Sequence, residues 1–194
     1  MSCRLIQNIK HGCEYNAGGI TNIYLMDIRD FGSYIFRDDR LYNQCFVSDI
    51  VIPSEAGHIK PFSKFAEVGT VNESNFTESQ DKGVYKQQLT TFVRTLDAQK
   101  LSDLLIANSN KHLVAFRTSQ DKFYCFGSDG GASLSFSQIT GQMGEVSGYN
   151  MTISKNSVFP LFEMTKNIFR EVIQLLAIES GALVLTEDNY LIEI

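Results

Sequence analysis

Tryptophan is absent from this sequence and proline occurs only three times. No stretch approaches the ~18 consecutive apolar residues of a membrane-spanning helix, so no membrane partner is expected. Basic residues are also scarce: 17 Lys and Arg stand against 22 Asp and Glu, a formal charge of −5 without a basic tail or stripe. A sequence reader of DNA needs clustered cations to neutralise phosphates, so specific nucleic-acid binding is not expected. Cysteine is sparse and scattered (Cys3, Cys13, Cys45, Cys125). That spacing suits reduced thiols in a cytosolic product better than a disulfide framework. Polar residues interrupt Met1 to Asn8 too early for a signal peptide, so synthesis and assembly in the cytosol are expected.

What is abundant points to strands. Hydrophobic residues make up 43% and charged residues 20% of the 194 positions, with 14 Phe and 8 Tyr. Aromatic and β-branched side chains pack well on a pleated surface, and this length fits one domain. A mainly β fold with one flanking helix (α+β) is expected.

Tyr15-Asn16-Ala17-Gly18-Gly19 is a turn signal, and after it Ile20, Tyr24, Met26 and Ile28 share one face of an alternating strand. Asp30 to Ser33 turns the chain, and Tyr34 to Phe36 can pair back. Phe46 to Ile52 reads as a strand with Phe46, Ile50 and Ile52 on one face, ended by Pro53. A long β-hairpin is expected over about 62–95, polar at its tip, with a three-residue turn Asp81-Lys82-Gly83. Residues 97–108 predict a helix capped by Asp97, with Leu101, Leu104, Leu105 and Asn108 at i, i+3, i+4 spacing. Beyond it come a hairpin about Ser119-Gln120-Asp121 and a tight turn at Gly127 to Gly131. A strand follows with Leu134 and Phe136 on one face, then another aligning Tyr149, Met151 and Ile153. Residues 1–166 are expected to form the β domain and 167–194 a C-terminal appendage.

Chemistry-bearing constellations are missing. His11 lies beside Cys13, but paired ligands two to four apart do not recur, so no metal site is expected. Gly127-Ser128-Asp129-Gly130-Gly131-Ala132 lacks the Lys and the following helix of a phosphate loop, so a hairpin turn explains it better. No G-x-S-x-G elbow or cysteine-nucleophile signature occurs. Acid pairs such as Asp38-Asp39 and Glu187-Asp188 fall in expected turns. Neither a catalytic residue nor a cofactor is expected, although glycosidase-type carboxylates leave no signature.

The hairpin is the positive feature. A two-stranded ribbon without an apolar face is marginal in water. It is either a surface loop or an edge that neighbouring subunits pair with, and closure around a ring removes exposed edges. Glu67 and Glu73 share strand parity and Glu78 has the other. Glu67, Glu73, Phe76, Glu78 and Lys82 are therefore the candidate assembly residues. Residues 73–82 carry so little apolar material that their deletion is expected to leave the domain folded.

The segments Cys13 to Ile20, Val84 to Leu89, His112 to Ala115, Phe126 to Ala132, Thr140-Gly141 and Glu145 to Ile153 together resemble tail-tube-like structural proteins of bacteriophages. The likeness is to those of Bacteroidota phages, including crAss-like phages, and covers about 10–163. It implies a β-sandwich or half-barrel of the tail-tube type flanked by a helix, closing with neighbours into a ring around a DNA channel; the long hairpin would then place Glu67 and Glu73, or Glu78, on an acidic lumen wall that repels phosphate weakly, and the C-terminal appendage at 167–194 departs from a plain tube subunit. It further implies a non-enzymatic virion protein of the tail or neck, such as a head–tail ring. The partners implied are the chain itself as a closed ring (hexamer or dodecamer), adjacent tail, neck or portal proteins, and genome DNA passing without sequence-specific binding. The alternative is a virion decoration or baseplate module that recognises a glycan or a protein. A hydrolase of sandwich fold would need a deep pocket with convergent polar groups.

Overall fold

The computed structural model describes residues 18–37, 45–53, 64–68, 74–140 and 146–169. Strands β1 (Ile20–Asp27) and β7 (Lys111–Thr118) run antiparallel at its centre, Ile23 opposite Phe116 and Leu25 opposite Val114. Successive side chains of a strand point to opposite faces, and here both faces are buried. Ile23, Leu25, Val114 and Phe116 enter one core, while Tyr24, Met26, Leu113 and Ala115 enter a second. A strand covered on both sides reads as a continuous apolar run, which is what Leu113 to Phe116 is. Ile23 and Leu25 are thus as buried as the face expected from alternation, and Ile28 leaves the strand to open a 3-10 turn (Ile28–Asp30).

The remaining strands cover these two faces. One edge of β7 carries β1; the other is shared, with Lys111 and His112 pairing β9 (Ala132–Ile139) and Val114 to Arg117 pairing β8 (Phe123–Phe126). From β8 the sheet continues through β11 (Phe162–Met164) and β3 (Phe46–Val51) to β2 (Ser33–Phe36). From β9 it continues through β10 (Gly148–Ser157) and β6 (Val84–Arg94) to β5 (Asn75–Asp81). Among the described residues strand β4 (Phe65–Val68) pairs β1 alone. Only β3 and β11 run parallel among the described residues, so the eleven strands described make one open mixed sheet. The first branch fills its core with Val47, Ile50, Phe162 and Met164; the second contributes Leu89, Leu134, Met151 and Ile153. Fully buried residues such as Ile153 each contribute ~1.5–3 kcal/mol by leaving water.

The helix expected at 97–108 is α1 (Ala98–Ser109), with the Asp97 carboxylate accepting from the Gln99 N–H at 3.1 Å. Its inward stripe is Leu101, Leu104 and Ala107, whereas Leu105 and Asn108 face solvent, a correction to the expected stripe. In β3 the buried residues are Val47 and Ile50, of opposite parity, rather than Phe46, Ile50 and Ile52. A bulge explains it: Ile35 faces Asp49 but Phe36 faces Val47, so Ser48 is the extra residue and its hydroxyl donates to Ile35 O. Strand β2 pairs with β3 and not back onto β1.

Two boundaries also move. The hairpin expected over 62–95 is β5–β6 alone, since β4 joins β1 on the other side of the molecule's central pair. The packed domain does not stop at 166: Ile168 is buried and Phe169 packs on Tyr24, Phe65 and Phe123 at centroid distances of 4.5, 5.1 and 4.9 Å. Residues 170–194, which hold the rest of the expected appendage, lie outside the described residues.

Candidate assembly surface

The β5–β6 hairpin closes with a two-residue loop, because Asp81 pairs directly with Val84. Lys82 (φ 50°) and Gly83 (φ 84°) both adopt the left-handed region that such a turn requires, correcting the expected three-residue turn. Lysine carries a Cβ penalty there that asparagine largely escapes. Lys82→Asn is expected to stabilise the domain by about 0.5–1 kcal/mol, read from the denaturant midpoint.

The five candidate residues do not form one surface. Phe76 is half-buried, its ring 5.1 Å from Phe116 and 5.3 Å from Phe126, packed against the chain's own core. Glu78 is a clasp: its Oε2 accepts from Gln87 Nε2 and from the Leu161 backbone N–H, both at 2.8 Å. Gln87, 2% exposed, also donates to Phe159 O at 3.2 Å. Glu67 sits on β4, its carboxylate accepting from Asn22 Nδ2 at 2.6 Å. Lys82 is exposed at the hairpin tip, and Glu73 lies outside the described residues. Deleting residues 73–82 would therefore strip structural contacts, not a bare ribbon. The clasp had one trace in the sequence: Gln87 occupies the inward parity between Tyr85 and Leu89.

A groove of about 560 Å³ opens between α1 and the β1–β4 pair. Its floor is apolar (Leu25, Val68, Leu104, Met151) and its rim is charged. Rim charges are occupied: Asp30 pairs Lys64 at 3.4 Å, and Lys100 Nζ donates to Arg94 O at 3.1 Å. Asp27 accepts from the Arg29 guanidinium, which holds its carboxyl down at about 2, with burial opposing. His112 is buried and its Nε2 donates to Ala107 O at 2.7 Å, closing the last turn of α1. His112 thus serves as a C-terminal cap.

The glycine-rich segment is a turn between β8 and β9, closed by the Gly131 N–H on Gly127 O at 2.9 Å and followed by a strand. Lys155 Nζ donates to Asp129 O at 2.6 Å, and Asp129 Oδ2 accepts from the Val158 N–H at 3.1 Å. The turn thereby pins the start of the β10–β11 connection. Among the described residues no cluster of three or more His, Cys, Asp or Glu side chains is placed to hold a metal.

Burial alone pushes the Cys125 thiol up to about 12, opposed by the Tyr34 hydroxyl, whereas Cys45 is exposed. The nucleophile in alkylation is the thiolate. Iodoacetamide at pH 8 is expected to modify Cys45 but leave Cys125 untouched until denaturant is added, as peptide mass mapping would read. Native modification of Cys125 would contradict its placement in the core.

No family model, curated protein or solved structure matches the chain.

Proposed function

We propose that this chain is a non-enzymatic virion structural protein of the phage tail-tube type, a ring-forming subunit of a tail or neck around the DNA channel. The observation that carries the reading is the outer edge of β5. Among the described residues β5 pairs only with β6, and its seven residues run without proline or bulge. Monomeric proteins blunt such edges, because a straight unpaired strand is a template for another chain. The sheet offers complementary ends, since among the described residues β2 pairs only β3 and β4 pairs only β1. A head-to-tail contact between two different edges is heterologous, and it closes into a ring when the rotation per subunit divides a full turn. The resemblance to tail-tube-like proteins supports the same assembly. It supplies the rest of the reading: a hexamer or dodecamer made in the host cytoplasm, incorporated in the virion against tail, neck or portal proteins, with DNA passing through.

A second reading, a decoration or baseplate binding module, draws on the apolar groove beside α1. Hydrogen exchange separates the two. In the ring reading, amides of β5 that β6 leaves unpaired exchange within seconds in the dilute monomer. They slow at least tenfold on assembly, while the groove strand β4 and helix α1 change only if they too form the contact. Unchanged exchange in β5 on assembly would contradict the proposed edge.

A further inference from the structure

The branch β9–β10–β6–β5 has two unlike faces. Its inward face carries Leu134, Met151, Ile153 and Leu89 into the core. The outward face follows from the register. Ser133, Ser154, Gln88 and Thr77 form one rung; Ser135, Thr152, Thr90 and Asn75 the next; Ser137, Asn150 and Phe92 a third. Ten of these eleven side chains are hydroxyls or amides, one is a phenyl ring, and none is charged. All are exposed or half-buried. On this outward face of the branch charge appears at the ends, at Lys86, Asp81 and Arg94, with Lys86 and Asp81 paired at 3.5 Å, and at the β9 border, where Lys111 Nζ from β7 donates to Ser133 Oγ.

A surface that is about 25–35% charged favours solubility, and these eleven adjacent positions carry no charge. Solubility alone would favour Lys and Glu here. Hydroxyl and amide groups hold a layer of water and bond weakly to phosphate oxygens. They provide no cation whose contact would release counterions and retain a nucleic acid. They also provide no anion to repel one.

We propose that this uncharged face is the wall of the channel, past which duplex DNA moves on a film of water. The inference rests on the ring reading above. It assigns the lumen to the face of β9, β10, β6 and β5 in place of an acidic wall built on Glu67 and Glu73. Strand β5 belongs both to this face and to the proposed edge contact, so edge-to-edge closure would continue the uncharged surface from one subunit to the next.

The test places Thr90→Lys, Ser135→Lys and Thr152→Lys in one full-length chain, three ammonium groups across the middle rung. Rings of this variant should retain a linear duplex at low salt and release it as salt rises. Blocking both duplex ends with streptavidin before mixing should weaken retention at least tenfold, because only an open end can thread. Wild-type rings and Glu67→Lys rings should retain neither duplex. Equal binding of the blocked duplex by the triple variant would place the lysines outside and overturn the inference, as would retention of the open duplex by Glu67→Lys rings. The single Thr152→Lys chain carries the same comparison if the triple variant fails to assemble. Failure of the wild-type chain to form rings would instead overturn the conduit reading, a result visible by mass before any DNA is added.

Discussion

Removing residues 75–82 should cost the domain a large part of its stability, in contrast to the neutral effect that the polarity of that stretch suggests. Truncating the Phe76 ring alone removes packing against Phe116 and Phe126 and is expected to cost about 2–3 kcal/mol for a half-buried phenylalanine. Loss of Glu78 leaves the Leu161 N–H and Gln87 Nε2 without their carboxylate, a further ~1–3 kcal/mol. Against a typical total of about 5–15 kcal/mol, the deletion should move the urea midpoint far down or leave no cooperative transition. An unchanged midpoint would show that β5 is dispensable to the core. The same argument means that deletion cannot isolate the role of β5 in assembly, because a chain that fails to fold also fails to form rings.

Gly148→Ala should be comparably damaging. A Cβ at Gly148 would lie 2.2 Å from the Val93 carbonyl oxygen and 2.8 Å from Phe92 Cζ. The first contact is backbone, so no rotamer change relieves it, and β10 would have to move off β6. Overpacking of this kind costs about 1–3 kcal/mol and sometimes more. The expected signature is a fall in the melting temperature together with faster amide exchange at the Gly148 end of β10, where Tyr149 Oη holds Asp97 O at 3.2 Å. Retained stability would mean that the β6–β10 spacing is looser at that end than the register implies.

Local signals made much of the fold legible. Helix α1 announced itself through the Asp97 cap and the leucine spacing, the β7–β8 hairpin through its turn, and β9 and β10 through strict alternation. What stayed hidden depended on partners distant in the chain. Tyr24 and Leu25 look alike as apolar neighbours, and only the folding of two branches over opposite faces of β1–β7 explains why both are buried. The bulge at Ser48 reverses parity midway along β3, which no periodicity reading can anticipate. Strand β4 is only four residues long and pairs far back with β1, so its place just ahead of the polar stretch made it look like the base of the hairpin. Among the candidate residues, Phe76 and Glu78 were found for their place on the ribbon, but their partners Phe116, Phe126 and Leu161 lie 40, 50 and 83 positions away. The uncharged outward face was equally concealed, since its serines, threonines and amides come from four strands and meet only through the register.

The central claim is closure of a ring through sheet edges, and the mass of the purified full-length chain in solution tests it most directly. A subunit of 21.8 kDa should give one discrete higher species at a fixed integer multiple of that mass, with no ladder of larger forms. A monomer of 21.8 kDa persisting at every concentration, or an open-ended series of sizes, would contradict the account.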